Sequence, residues 1–512
     1  MQPYRLDPPA ASDARRQRLL PIFLDFLDRS QPSVLRDCRD TRSGLGAVAR
    51  VARLSQPACG NALHSLLTIH PFASTRGPFQ YFNGFLDVRI RENLPEKWRS
   101  TTIRPAVTFV ATVFVASRKR PVHAWAAEGL RSTMNYQLIP KELRPIAEKV
   151  EARQRISEAD ALSLYRANDL NALGMIANVV RERKNGNYAT YIHNRYINYS
   201  NICVLSCQFC AFAAKKRDAH AFEYATDEII RVVSDALRLG VTEVHMVGGL
   251  HPSLKKDWYL DLVQRLRALD PQLHIKAFTA IEIRHLAQRI FRIPIRDTLE
   301  TLRETGLGSI TGGGAEIFDP VVRDKICRGK ETAAEWLDVH RTWHLMGGRS
   351  TCTMLYGHIE TLAQRVDHLR QLRQLQDETG GFTGFVPFAF EPQTTILAHI
   401  KRASAFEQLR NLAVSRIYLD NIDHLTAYWV SLGLPLAQVS LSYGVDDLHG
   451  TILEEKIFHM AGATTPQQQT VAALEDAIRE AGREPVQRDS HYRYLNGTRG
   501  AVRPNERELV CA

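Results

Sequence analysis

From about Ala189 to about Val445 the chain alternates short β-rich runs with longer amphipathic helical stretches, and few folds tolerate that pattern. Parallel strands need a crossover between neighbours and a helix supplies it, so the alternation predicts a parallel sheet with helices outside. Strands are expected near Tyr191–Tyr199, Val241–Val247, His274–Thr279, Gly308–Ile310, Ser350–Tyr356, Gly384–Phe390 and Gln438–Ser442. Helices are expected near Asp227–Leu239, Lys256–Leu269, Ile295–Glu304, Ala333–Leu345, Leu362–Glu378 and Ala405–Leu419. Gly or Pro marks most junctions, among them Gly240, Pro271, Gly306 and Gly433. Six or seven such units in a row imply an α/β fold, a TIM-like barrel of partial (β/α)6 type.

The flanks differ from this core. Residues 1–133 mix Pro, Arg and Ser with short apolar runs and hold no sustained period, which predicts a poorly ordered extension or a spurious, translated upstream stretch with Met134 as the natural start. Residues 134–188 form an N-terminal helical segment, with helices near Asn135–Val150 and Ser157–Val180, and residues 446–512 a C-terminal helical extension. The formal charge of +11 suggests nucleic acid until it is divided: residues 1–133 carry 20 Lys and Arg against 10 Asp and Glu, the rest 46 against 45. A balanced core without basic runs excludes a nucleic-acid face. Eight cysteines are too sparse for a disulfide scaffold. No stretch reaches the roughly 20 apolar residues that span a bilayer, and no secretory signal opens the chain. A cytoplasmic protein with no membrane partner is expected.

In parallel barrels the loops after the strands' C-terminal ends carry the chemistry. Five polar or glycine-rich clusters fall there: Cys203 to Cys210, Gly248 to Pro252, Thr279 to Glu282, Gly312 to Glu316, and Tyr356 to Glu360. The first is the most specific. Cys203, Cys207 and Cys210 are spaced C-x3-C-x2-C, and thiolates are the ligands of iron–sulfur clusters. Three thiolates on a four-iron cluster leave one iron open for an exogenous ligand, as catalytic metals keep a free position and structural ones do not. A zinc site on Cys207 and Cys210 would need a second ligand pair that the sequence does not display. The Gly312-Gly313-Gly314 run is no phosphate cradle, because no Lys-Ser/Thr follows it.

These residues resemble the radical S-adenosylmethionine (SAM) superfamily, which carries C-x3-C-x2-C after the first strand of a partial (β/α)6 barrel. The resemblance implies that Cys203, Cys207 and Cys210 hold a 4Fe–4S cluster whose fourth iron chelates the methionine end of SAM. It further implies that Phe209 lies near the adenine and that Gly248 and Gly249 meet the methionine amino group. Glycine suits such close backbone approach because it has no Cβ. Over about residues 134–490 the chain is similar to the aminofutalosine synthases, in Asn198 to Cys203, Gly248 to Pro252, Lys276 to Ile283, Gly312 to Ile317, Leu355 to Thr361 and Asp377 to Phe382. Thr311 departs from the proline expected before the three glycines.

What this similarity implies is an enzyme, a radical SAM transferase that adds the 5′-deoxyadenosyl radical to 3-[(1-carboxyvinyl)oxy]benzoate. SAM is then a co-substrate, the product 6-amino-6-deoxyfutalosine in menaquinone biosynthesis, and the reductant a flavodoxin or ferredoxin. Related alternatives are cyclic dehypoxanthine futalosine synthase and the deazaflavin-forming synthases; a non-catalytic iron–sulfur or zinc module is the third. His251, Glu282 and Glu316 are candidate catalytic residues, set against structural readings in which each is a satisfied loop group. His358 and the guanidinium groups of Arg323 and Arg349 are further candidates for the substrate's carboxylates. Cys352 reads as a small buried hydrophobe.

Overall fold

The computed structural model of the protein describes residues 134–495 and, before them, two short strands, β1 (Leu66–Ile69) and β2 (Val88–Arg91). β1 and β2 pair antiparallel within a unit of their own, Met1–Leu130. Apart from these strands, the expectation for residues 1–133 lies outside the described residues.

The second unit opens with helices α1 (Arg144–Glu151), α2 (Glu158–Arg166) and α3 (Leu170–Asn185). The helix expected over Ser157–Val180 is two helices, because Asp169 leaves helical geometry and caps α3 by accepting from the Ala172 N–H. Then come β3 (Tyr188–Ile192), β4 (Asn194–Ile197), α4 (Thr226–Arg238), β5 (Glu243–Met246), α5 (Lys256–Leu269) and β6 (His274–Ala277). Helices α6 (Ala280–His285), α7 (Ile295–Thr305), α8 (Pro320–Cys327) and α9 (Ala333–Leu345) lead to β7 (Ser350–Tyr356), α10 (Leu362–Thr379), β8 (Phe382–Ala389) and α11 (Ala405–Tyr418). The last part holds β9 (His424–Leu425), α12 (Trp429–Leu432), α13 (Leu434–Ser440), β10 (Asp447–Gly450), α14 (Ile457–Met460), α15 (Val471–Glu480) and β11 (Glu484–Gln487).

The strands form a parallel ring. β4, β5 and β6 pair in order, Lys276 bridges to Ser309, Ile310 bridges to Ser350, and β7, β8 and β9 follow. Thr426 then bridges to Asp447, and β10 pairs β3, the continuation of β4 across His193. The partial barrel expected from the alternation is present, and the short strands β9 and β10 carry its ladder back to the start. The strand expected at Gln438–Ser442 is instead the end of α13 and the turn after it, a helix that begins at Leu434-Pro435, where a proline costs no hydrogen bond.

Residues 484–495 lie across the strands' N-terminal ends. Arg488 Nε is 2.5 Å from Asp447 Oδ2, His491 packs on His274 with ring centres 4.9 Å apart, and Tyr492 stacks on His424 at 3.8 Å. That end of the barrel is closed. Among the described residues no helix is long and apolar enough to cross a membrane.

Candidate active site

At the opposite end, the loop after β4 carries the three cysteines, which are free thiols. Its backbone is tied down at several points: Cys203 N–H donates to Ala214 (2.9 Å), Val204 N–H to Leu250 (3.0 Å) and Gln208 N–H to Ile326 (2.7 Å). The Lys215 ammonium donates to the carbonyls of Cys203, Val204 and Leu205 at 3.0, 3.2 and 2.8 Å, and so staples the first turn of the loop. Burial pushes the Cys207 thiol up to about 12 against the pull of Lys330, and it raises Cys210 as well. The sulfurs share one field, Cys207 with Cys210 and Cys210 with Cys203. Among the described residues no three His, Cys, Asp or Glu side chains are gathered to hold a single metal ion. Three free thiols on one pinned loop, coupled through the field, are the donor chemistry of an iron–sulfur cluster.

The floor of this loop is a charged group that composition does not reveal. Lys330 is 2.6 Å from Glu316 Oε1 and 5.5 Å from the centre of the Phe209 ring, and it acts electrostatically on Cys207, Cys210 and the buried Cys327. Glu316 adopts a positive φ of 47°, and its carbonyl accepts from Leu355 N–H (3.0 Å). Its carboxylate pairs with neither Arg284, which meets Glu335 at 2.6 Å, nor Arg323. Arg323 is buried and donates to the carbonyls of Ala315, Ile317 and Glu331. It knots the glycine loop and lies 3.8 Å from the buried Glu331 carboxylate, so its guanidinium is engaged within the fold.

Gly248 and Gly249 end β5 under the cysteine loop. A Cβ on Gly248 would stand 2.5 Å from the Tyr199 ring, and one on Gly249 would collide with the Ile202 carbonyl. The absent side chains therefore first let the second strand end pack against the first. The Gly248 N–H donates to Glu282 Oε1 (3.0 Å) and the Gly249 N–H to Ser200 (2.8 Å), which leaves carbonyl oxygens as the groups these residues can offer a ligand. Glu282 is buried and also accepts from Tyr199 Oη (2.7 Å) and from Thr279 N–H and Oγ1 (2.8 Å each). Burial raises its carboxyl despite these donors. Four donors fill a carboxylate's acceptor positions. Glu282 is thus a brace between the ends of β4, β5 and α6, with no position left for a substrate.

His251 is a brace too. Its Nδ1 accepts from the N–H groups of Ser253 (3.1 Å) and Leu254 (3.0 Å), so the proton resides on Nε2, which lies 2.6 Å from Glu223. Burial lowers its basicity. His358 is fully buried between Leu355 O (3.1 Å) and the Ile359 N–H (2.7 Å), and Arg349 spends its guanidinium on the Gly380 carbonyl. Cys352 is buried in β7. Thr311 uses the N–H that proline lacks, donating to Phe278 at 2.9 Å. Lys215, Lys330 and Glu223 were invisible as site residues in sequence, because their partners are carbonyls and side chains distant along the chain.

A parallel barrel that holds three free thiols in the loop after its first strand defines the radical SAM class of enzymes. The model of the radical SAM superfamily matches residues 197–372, and that of the CofH/MqnC C-terminal region matches residues 379–500. Aminodeoxyfutalosine synthase of Thermus thermophilus is 47% identical over 355 residues, 69% of this chain and 95% of that relative. Cyclic dehypoxanthine futalosine synthase of Streptomyces coelicolor is 38% identical (69% and 89%), and the 5-amino-6-(D-ribitylamino)uracil–L-tyrosine 4-hydroxyphenyl transferase of Methanoculleus marisnigri 39% (70% and 99%). Among solved structures, methylornithine synthase superposes with a TM-score of 0.55 at 17% identity, covering 66% of this chain and 97% of its own. The FeFe-hydrogenase maturase HydG of Carboxydothermus hydrogenoformans gives 0.54 at 15%, covering 69% and 81%. The chain belongs to the radical SAM superfamily, in the branch that carries the CofH/MqnC C-terminal region.

Proposed function

We propose that the protein joins the 5′-deoxyadenosyl group of SAM to the alkene of 3-[(1-carboxyvinyl)oxy]benzoate with rearrangement, water consumed and the enolpyruvyl carboxyl group lost as bicarbonate, giving 6-amino-6-deoxyfutalosine and methionine in the futalosine route to menaquinone. The observation that carries this reading is the 47% identity to the Thermus thermophilus aminodeoxyfutalosine synthase across nearly its whole length. Cys203, Cys207 and Cys210 would hold a 4Fe–4S cluster, which, reduced by a flavodoxin or ferredoxin, would supply the electron for reductive cleavage of SAM. Gly248 and Gly249 serve the methionine amino group through their carbonyls, and Phe209, beside Lys330, borders the adenine. Glu282 and His251 act as positioning residues that keep the strand ends in place. Glu316 acts through Lys330. The barrel interior keeps water and stray hydrogen donors from a radical that must reach the alkene carbon.

Anaerobic reconstitution followed by incubation with SAM, reductant and the enolpyruvyl benzoate tests this. An adenine-containing adduct of the mass of 6-amino-6-deoxyfutalosine is expected, and Cys203→Ser, Cys207→Ser or Cys210→Ser each abolishes it together with the cluster's absorbance. Cleavage of SAM without the adduct would assign the chain to one of the sister reactions instead.

A further inference from the structure

The inner face of the barrel carries two rows of side chains, and they differ in how they are satisfied. The row nearer the closed end, Asn194, Glu243 and His274, lies in register across β4, β5 and β6 and is partly hydrogen-bonded within itself, with Glu243 Oε2 left without a hydrogen-bond partner. Asn194 Nδ2 donates to Glu243 (3.2 Å), and His274 Nε2 shares a hydrogen bond with Ser309 (2.8 Å). The next row toward the cysteine loop is Tyr196, His245 and Lys276, again in direct register. His449 of β10 completes it, its Nε2 2.7 Å from the Tyr196 hydroxyl.

This second row holds donors with nothing to donate to. Lys276 is buried, yet no hydrogen bond or ion pair within 4 Å engages its ammonium among the described residues; Glu243, one row below, touches it only through the field. His245 Nδ1 and His449 Nδ1 are buried and without partners. His245 stacks on Tyr196 at 4.3 Å, and His449 is held at a positive φ of 65°. An ammonium on a buried residue, unpaired at close range, is costly to desolvate further unless a ligand completes it. Desolvation lowers the basicity of Lys276, His245 and His449 alike, so the two imidazoles stand as neutral donors. Beside the row stands an aromatic wall, with Tyr428 5.1 Å from His449, Phe388 5.0 Å from Tyr428 and Phe458 5.3 Å from Tyr428.

We propose that Lys276, His245 and His449 form the subsite for the aromatic carboxylate of the second substrate, the ring lying against the wall of Tyr428 and Phe388. This rests on the reading above that an aryl carboxylate is that substrate. The row lies below the cysteine loop, so a carboxylate bound there leaves the opposite end of the molecule, the alkene, directed toward the radical. Lys276 and the two imidazoles are positioning residues: they set affinity and register and take no part in bond making.

The test is discrimination between acid and amide. Binding of 3-methoxybenzoate and of 3-methoxybenzamide to the cluster-loaded protein is measured by calorimetry, for the wild type, K276M, K276Q and H449Q. The wild type is expected to prefer the acid by on the order of a hundredfold, as for a buried charge pair. K276M and K276Q should erase that preference, and H449Q should reduce it. An equal preference in wild type and K276Q overturns the subsite, and a lowered melting temperature with preference intact assigns Lys276 to charge balance for Glu243. If K276M does not fold, K276Q and H449Q decide. Should the wild type fail to form the adduct while Lys276 still governs the preference, the reaction assignment falls and the subsite stands; adduct formation with an unchanged preference gives the reverse.

Discussion

Glu360 shows what a single buried carboxylate in this barrel does with pH. Burial alone would raise its pKa, but His358, the Arg365 guanidinium at 2.7 Å and the Gly357 N–H hold it at about 2. A carboxylate depressed in the folded state contributes stability above its unfolded pKa and loses it as pH falls through the folded one. The contribution, roughly 3 kcal/mol by that shift, is therefore present at neutral pH and lost between about 4.5 and about 2. Urea unfolding of E360Q against wild type across that window measures it, and curves that stay parallel throughout would contradict the assignment. Glu282 gives the complementary case. In E282Q an amide NH2 faces donors, which costs roughly 1–3 kcal/mol. Unfolding should register the loss, with the SAM KM within about twofold of wild type; a large rise in KM alone would make Glu282 a ligand. The thiols were legible in sequence because their chemistry depends on local spacing. The bracing roles of Glu282 and His251 were not, because four of their partners, Tyr199, Gly248, Glu223 and His285, are brought in by the fold.

Elements are held to the site by close backbone approach. G249A drives a methyl group into the Ile202 carbonyl, so the ends of β4 and β5 must separate where the cysteine loop begins. Iron content after reconstitution should fall several-fold while the far-ultraviolet circular dichroism stays native. Full iron loading would show that the loop tolerates the shift. The same physics explains which elements could be read beforehand. Helices α5 and α9 fall where the amphipathic period places them, because one face meets the core and the other does not, and β7 falls where a short run bounded by turn residues marks a strand buried on both faces. β9 and β10 escaped notice. They are two and four residues long, and β10 reads Asp-Leu-His-Gly because its inward side chains line a polar interior. A strand that buries Asp447 and His449 carries no apolar alternation to detect.

At the scale of the whole molecule, strands β9 and β10 and the final described segment do the closing. Arg488 and Asp447 are a buried ion pair that joins residues 484–495 to β10, and Thr190 Oγ1 donates to the same carboxylate at 2.7 Å. Replacing Arg488 by Met leaves Asp447 buried without its cation, a change worth roughly 3–5 kcal/mol. Chemical denaturation of R488M should show that loss, and the D447N/R488M double variant should recover part of it. Additive losses in the double variant would argue against a coupled pair. Among the described residues the segment covers the strands' N-terminal ends, which leaves the end beside the three thiols for passage into the barrel. Under the proposed reaction the reactant seated deeper arrives first and departs last, so initial-rate kinetics should follow a compulsory order, with the aryl acid preceding the sulfonium and methionine released before the nucleoside adduct.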